Sequence, residues 1–153
     1  KAEFVGKKTG LLTLAEDSGL EIDFLAGKPG IYSARYHPGS DSDRIKKVLR
    51  QLKGVRKEKR TARFICVVAI FNPNTNKIKF FRGESRGYIT EKPLGQNGFG
   101  YDPVFFNLDL GKTNAQATPH EKNRVSHRAR ALQKVKEFSQ HIHLRSVLAR
   151  THR

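Results

Sequence analysis

Hydrophobic and polar positions along the chain separate into two periods. At Ala62–Phe71 (ARFICVVAIF) the residues are mostly β-branched or aromatic, which predicts a central strand. Asn72-Pro73-Asn74-Thr75-Asn76 turns it, and Lys77–Arg82 returns as an antiparallel partner. Gly83 is a place for a bend, after which the strand continues through Gly87-Tyr88-Ile89. Leu11–Ala15 reads as a short buried strand that delivers Glu16-Asp17-Ser18-Gly19 at its C-terminal end, where open α/β sheets bind ligands. Val104–Phe106 reads as a further short strand. The helical period appears at Ile45, Val48, Leu49 and Leu52, spaced i, i+3, i+4, i+7, with Ser42 as the expected cap and Gly54 as the stop. Residues 1–8 read as a helix end closed by Thr9-Gly10. Thr118-Pro119-His120-Glu121 is a capping box with proline at the first helical position. It opens a region whose apolar stripe is Val125, Ala129, Leu132, Val135 and Phe138. Strands interleaved with helices predict an α/β fold: three layers, α/β/α, around a central mixed sheet.

Composition narrows this picture. A chain of 153 residues is the size of one domain and buries a core without disulfides. We read residues 1–140 as that domain and 141–153 as a loosely held basic tail. The single cysteine, Cys66, sits inside an apolar run, which excludes an internal disulfide and suits a buried thiol in a reducing cytoplasm. No apolar stretch approaches membrane-spanning length. The net charge of +16 predicts attraction to polyanions or phosphorylated small molecules and does not choose among them.

Three groups of residues carry candidate chemistry. In Gly95-Gln96-Asn97-Gly98-Phe99-Gly100-Tyr101-Asp102-Pro103, glycines flank a phenylalanine and an aspartate follows. Glycine lets the backbone take φ > 0 and approach a ligand. Phe99 then offers a platform for a base, worth about 1–3 kcal/mol in stacking, and Asp102 an acceptor for its edge; the plain alternative is a turn with Phe99 in the core. Glu16-Asp17 are adjacent carboxylates, and in a strand they point to opposite faces, so only one meets a substrate. A carboxylate near phosphates needs an intervening cation, a role that fits Mg²⁺; the alternative is an acid that solvates a loop. Lys122, His127 and Arg128 supply donors. On one straight helix they lie about 140° and about 240° around from Lys122 and cannot converge. A break near Ser126, itself a good N-cap, brings them together at a helix start. Otherwise they form a basic solvent face.

Ala15-Glu16-Asp17-Ser18-Gly19-Leu20, Pro29-Gly30-Ile31-Tyr32-Ser33-Ala34-Arg35, Gly98-Phe99-Gly100-Tyr101-Asp102-Pro103, Glu121-Lys122-Asn123 and Ser126-His127-Arg128 occur in this order. Together they resemble the signature set of the inosine-triphosphate pyrophosphatase family. The resemblance implies hydrolysis of ITP, dITP and XTP to monophosphate and pyrophosphate, with Mg²⁺, by a cytoplasmic homodimer whose partner is a nucleotide rather than nucleic acid or membrane. It implies Asp17 as general base and metal ligand, Ser18 as a substrate contact and Phe99 as the stacking residue. Gly100, Tyr101 and Asp102 complete the base loop, and Lys122, His127 and Arg128 are further base contacts. Lys1 matches a helix-end lysine and is a possible phosphate ligand. The family's phosphate loop and a strand with a metal-binding glutamate come before the position matched by Lys1. The chain is therefore read as lacking the N-terminal portion of the fold, and alone it is expected to be weak or inactive. The alternative function is a basic nucleic-acid-binding module without catalysis.

Overall fold

One long strand organises the fold. The computed structural model describes the backbone of residues 1–150 and the side chains of residues 1–140. Strand β3 (Thr61–Asn72) pairs along its length with β1 (Thr13–Ile22) on one side, from Thr13 opposite Phe71 to Ile22 opposite Ala62. On its other side lies β4 (Lys77–Ile89), from Asn72 opposite Lys77 to Thr61 opposite Tyr88. Short strands β2 (Pro29–Gly30), β5 (Phe105–Asn107) and β6 (Lys112–Thr113) complete a six-stranded sheet of order β2-β1-β3-β4-β5-β6. The α/β class expected from the sequence holds. The sheet, expected to be mixed, is antiparallel at every described pairing. The helical crossover after β2 explains this. It returns the chain to β3, which runs in the same direction as β2, but β1 lies between the two.

Helices cover both faces. Alternation along β3 puts Ala62, Phe64, Cys66 and Val68 on one face. At one end of that face lies α2 (Asp41–Gln51), whose Ile45 and Val48, with Leu52 just beyond, pack with Leu20, Ile22, Ala62, Ile89, Val104 and Phe105. Complete burial of side chains such as Val48 and Leu52 contributes roughly 1.5–3 kcal/mol each. At the other end lies α4 (His127–Arg150), whose Ala131 meets Cys66 and Val68 with Phe81 and Val135 alongside. The opposite face takes α1 (Ala2–Thr9), whose Gly6 lies against Phe71 and Thr13, on the other pleat. Gly10 closes α1 in the left-handed conformation, as its sequence predicts.

Local expectations met three adjustments. The cap of α2 is Ser40, which forms a capping box with Asp43, two residues ahead of the expected Ser42. Asp43 is the N3 acid that a capping box needs. Strand β4 runs uninterrupted through Gly83. That residue serves contact instead: a Cβ there would lie 2.1 Å from His127 O and 2.4 Å from Ala131 N. The stripe of the last helix is also re-phased. α3 (Pro119–Val125) ends before α4 starts at His127, so Ala131 takes the fully buried position and Leu132 is exposed. Phe138 still reaches Phe81, with ring centroids 5.2 Å apart. The expected tail, 141–153, lies outside the described residues as far as side chains are concerned.

Arg60 ties the end of α2 to the end of β4. It is buried, with Nε donating to Ile89 O, Nη1 to Leu52 O and Val55 O, and Nη2 to Thr90 O. A buried cation is tolerable only when its donors are satisfied, and here backbone carbonyls satisfy them.

Gly83→Ala tests the closeness of α4 to the sheet. Its Cβ meets rigid backbone, so the variant should lose about 1–3 kcal/mol of stability, read as a lower urea midpoint. A midpoint equal to the parent's would show that α4 is free to shift.

Candidate active site

The site forms along the outer edge of β1. β2 pairs there only at Leu20 and Glu21, so among the described residues the stretch before them has no strand on that side. Glu16 and Asp17 are mid-strand, opposite Val68 and Val67, and not at the strand end that the sequence suggested. The strand extends through them because β3 supplies a full ladder, and an open edge tolerates polar side chains. The pleat sends them to opposite faces. Glu16 points toward α4, where Arg128 holds it at two points, Nε at 3.0 Å and Nη2 at 2.9 Å. Cys66 Sγ and Ser18 Oγ also donate to Glu16. The Arg128 guanidinium keeps the Glu16 carboxyl below the usual carboxylate range. Asp17 points the other way. Its side chain is 65% exposed, with the Lys1 ammonium 3.8 Å away and the Ser18 N–H donating to Oδ1.

The glycine loop presents Phe99 outward. Gly98 (φ 81°) and Gly100 (φ 61°) both take the left-handed conformation that favours glycine, and Phe99 between them is 65% exposed. Its N–H donates to Asp102 Oδ2 at 2.8 Å, and the Gly100 N–H donates to Asp41 Oδ2 at 2.7 Å. Tyr101 is buried and donates its hydroxyl to Ser33 O; burial pushes its pKa up to about 12. Asp102 lies in the cleft floor with its oxygens already held: Oδ2 by Phe99 and Lys122, Oδ1 by Asn114 Nδ2. Its side chain is 4% exposed, so the structure places it as an anchor of the loop. Lys122 Nζ also stands 4.6 Å from the Phe99 ring centroid.

The donors converge because the last helical region breaks. Thr118 and Glu121 form the capping box of α3, with Pro119 first. Ser126 is extended (φ −66°, ψ 150°), and its Oγ accepts from the Ala129 N–H, so it caps α4. His127 follows, stacked on Phe64 with centroids 4.9 Å apart and planes 13° apart. Burial, then the Arg128 and Lys122 charges, pull its pKa down to about 4. Asp17, Ser18, Phe99, Gly100, Tyr101, Asp102, Lys122, His127 and Arg128 line a single cavity of about 510 Å³, within the usual range for small-molecule sites. Sequence reasoning gave no site role to several other lining residues, among them Ser33, Asp41, Arg44 and Phe64. Ser33 stands in a quoted motif. Nothing local marks Asp41, whose partner Gly100 is 59 residues away.

Among the described residues no three His, Cys, Asp or Glu side chains cluster as a ready metal cage. Mg²⁺ is commonly held by one or two carboxylates with substrate phosphates. Asp17 fits that pattern: of the cleft carboxylates, Glu16, Asp41 and Asp102 are each tied by an arginine or lysine within hydrogen-bond reach, and Asp17 is the most open to solvent.

The chain is similar to known proteins in sequence and in fold. The model of the Ham1 family matches residues 1–138. The dITP/XTP pyrophosphatase of Bacillus licheniformis is 50% identical over 137 residues, covering 88% of this chain and 69% of the relative. That of Shouchella clausii is 52% identical over 139 residues, covering 90% and 70%. The solved structure of the Staphylococcus aureus Ham1 protein superposes with a TM-score of 0.86 at 39% identity, covering 91% of this chain and 72% of that one. The Coxiella burnetii HAM1 protein gives 0.85 at 40% identity, covering 92% and 73%.

The state of His127 gives a pH test. Its folded pKa of about 4 lies below the ordinary 6.5, so between these values the unfolded chain binds the extra proton. The contribution is complete above about pH 6.5 and is lost as pH falls toward 4, about 3 kcal/mol in all. NMR titration should place the ring's midpoint near 4, and His127→Gln should flatten the loss of stability over that window. A midpoint near 6.5 would contradict the burial argument.

Proposed function

The chain belongs to the Ham1 family, and from that premise we propose that it hydrolyses non-standard purine nucleoside triphosphates. ITP, dITP and XTP are the substrates, and the α–β phosphoanhydride is the bond cleaved, giving the monophosphate and pyrophosphate. Two relatives with half of this chain's aligned residues carry the name dITP/XTP pyrophosphatase. The observation that carries the reading is the single cleft in which an exposed aromatic face, a neutral buried histidine and the cations Arg44, Lys122 and Arg128 stand with the solvent-exposed carboxylate of Asp17.

Each side chain has a chemical task in this reading. Phe99 stacks on the purine. Lys122, His127 and Arg128 offer donors to the oxygen at the purine 6-position. Adenine carries an amino group there, which leaves buried donors unpaired and costs about 1–3 kcal/mol per group. Gly100 and Tyr101 shape the loop under the base, and Ser18 meets the substrate beside Asp17. Asp17 accepts the proton of the attacking water and, with the phosphates, holds Mg²⁺. When bound, Mg²⁺ neutralises the triphosphate charge. Cytoplasmic nucleotide-pool cleansing by a homodimer completes the reading. A free buried thiol at Cys66 supports a reducing compartment, and among the described residues no helix is long and apolar enough to cross a membrane.

Pyrophosphate release from ITP, XTP and ATP with Mg²⁺ tests the assignment, alongside calorimetric binding of ITP and ATP. The expected order is ITP and XTP well above ATP in both measurements. In a chain that also carries the family's phosphate loop, Asp17→Asn should lower turnover by about 10²-fold or more with ITP still bound. Equal binding of ITP and ATP would refute base selection, and turnover by Asp17→Asn within tenfold of the parent would remove Asp17 from catalysis. Salt-sensitive nucleic-acid binding that ignores Asp17 would favour the non-catalytic alternative.

A further inference from the structure

Helix α2 carries none of the side chains given a substrate contact above, yet it grips the loop that carries the Phe99 platform. Asp41 is its first residue, directly after the cap Ser40. Asp41 Oδ2 accepts from the Gly100 N–H, and Asp41 Oδ1 is held at 2.6 Å by Arg44 Nη2. Arg44 is itself fixed, with Nη1 donating to Gly39 O at 2.9 Å. The carboxylate is thus braced from behind and aimed at the loop.

Phe99 lies between two amides, its own and that of Gly100. One is held by Asp102 from inside the loop, the other by Asp41 from outside it. Glycines at 98 and 100 have no side chain to limit the backbone, so by themselves they leave the ring's direction open. The two charge-assisted bonds supply the direction that the glycines do not. Asp102 closes the loop on itself and ties it to Asn114 and Lys122, whereas the Asp41 bond ties the Gly100 amide beside the ring to α2. The loop also meets the β1 edge through Leu20, whose N–H donates to Ser33 Oγ, while Ser33 O accepts from Tyr101. The platform for the base and the strand that bears Asp17 therefore share one frame.

We propose that Asp41 is a positioning residue for base recognition: by holding the Gly100 amide it sets the plane in which Phe99 meets the purine. This rests on the nucleotide reading of the cleft. Asp41 also pairs with Arg44 and lies in the first turn of α2, where an acid stabilises the helix, so the test separates positioning from helix support.

The full 153-residue chain is titrated with inosine 5′-monophosphate, which bears the base, and with inorganic tripolyphosphate, which does not. Asp41→Ala should weaken inosine monophosphate about tenfold or more and leave tripolyphosphate unchanged. Asp41→Asn keeps an acceptor oxygen and should restore most of the loss. Ser40→Ala removes the cap of the same helix; it should lower Tm without changing nucleotide affinity. The Gly100 amide should lose its hydrogen-exchange protection in Asp41→Ala and keep it in Ser40→Ala. If Asp41→Ala binds the monophosphate like the parent, or Ser40→Ala weakens it as much, the positioning role falls and helix support remains. If the parent itself fails to bind inosine monophosphate, the nucleotide reading falls and this inference with it.

Discussion

The site depends on one buried carboxylate. Asp102 gathers the Phe99 amide, the Asn114 side chain and the Lys122 ammonium around its two oxygens. Those donors belong to three separate segments: the glycine loop, the turn Asn114–Gln116 and α3. A carboxylate taken from water costs several kcal/mol unless its lone pairs are met, so the native state requires all three segments in place together. The network continues inward. Asn114 Oδ1 accepts from Asn107 Nδ2, which also donates to Ser85 Oγ on β4. Among the described residues no buried side-chain polar atom lacks a partner. The glycine loop is therefore wired to the sheet by polar contacts, and its exposed aromatic ring, Phe99, lies beneath the Lys122 ammonium.

A second constraint is the pleat of β1. Adjacent carboxylates cannot share a face, so Glu16 and Asp17 divide their work. Glu16 is spent on Arg128, which it draws to the cleft and holds in a fixed fork. Asp17 stays open to solvent, where a proton or a cation can reach it. The same charges act on His127. With solvent excluded and Arg128 and Lys122 close by, the imidazole stays neutral, so the cleft keeps its positive charge on Arg44, Lys122 and Arg128, whose positions are set by acids. The overall charge of +16 suits a highly anionic ligand, but the cleft's own geometry carries the argument for a nucleotide.

Close packing of α4 links these parts. Its first turns rest on Gly83, where no side chain fits, and that approach places His127 against Phe64 and Arg128 against Glu16. The extended Ser126 is what allows the approach, because a helix continued from α3 would carry Lys122 and Arg128 to different sides.

Much of this was legible in the sequence because the signals are local. The apolar run 62–71, the i, i+3, i+4, i+7 spacing of α2, the box at Thr118 and the capping serine at 126 each concern residues within a few positions of one another, whose backbone hydrogen bonds or periodicity any reader can infer. The glycine loop and the ordered motifs likewise marked the cleft's main residues, including the need for a break before His127. Tertiary structure alone decided the rest. The extension of β1 through Glu16 and Asp17 follows from the partner strand β3, some fifty residues on. The phase of α4 follows from where it meets Gly83. The bracing of Gly100 by Asp41 spans 59 residues and the fork of Arg128 on Glu16 spans 112. Such contacts are chosen by which surfaces the packed core brings together, and no pattern within a single segment encodes them.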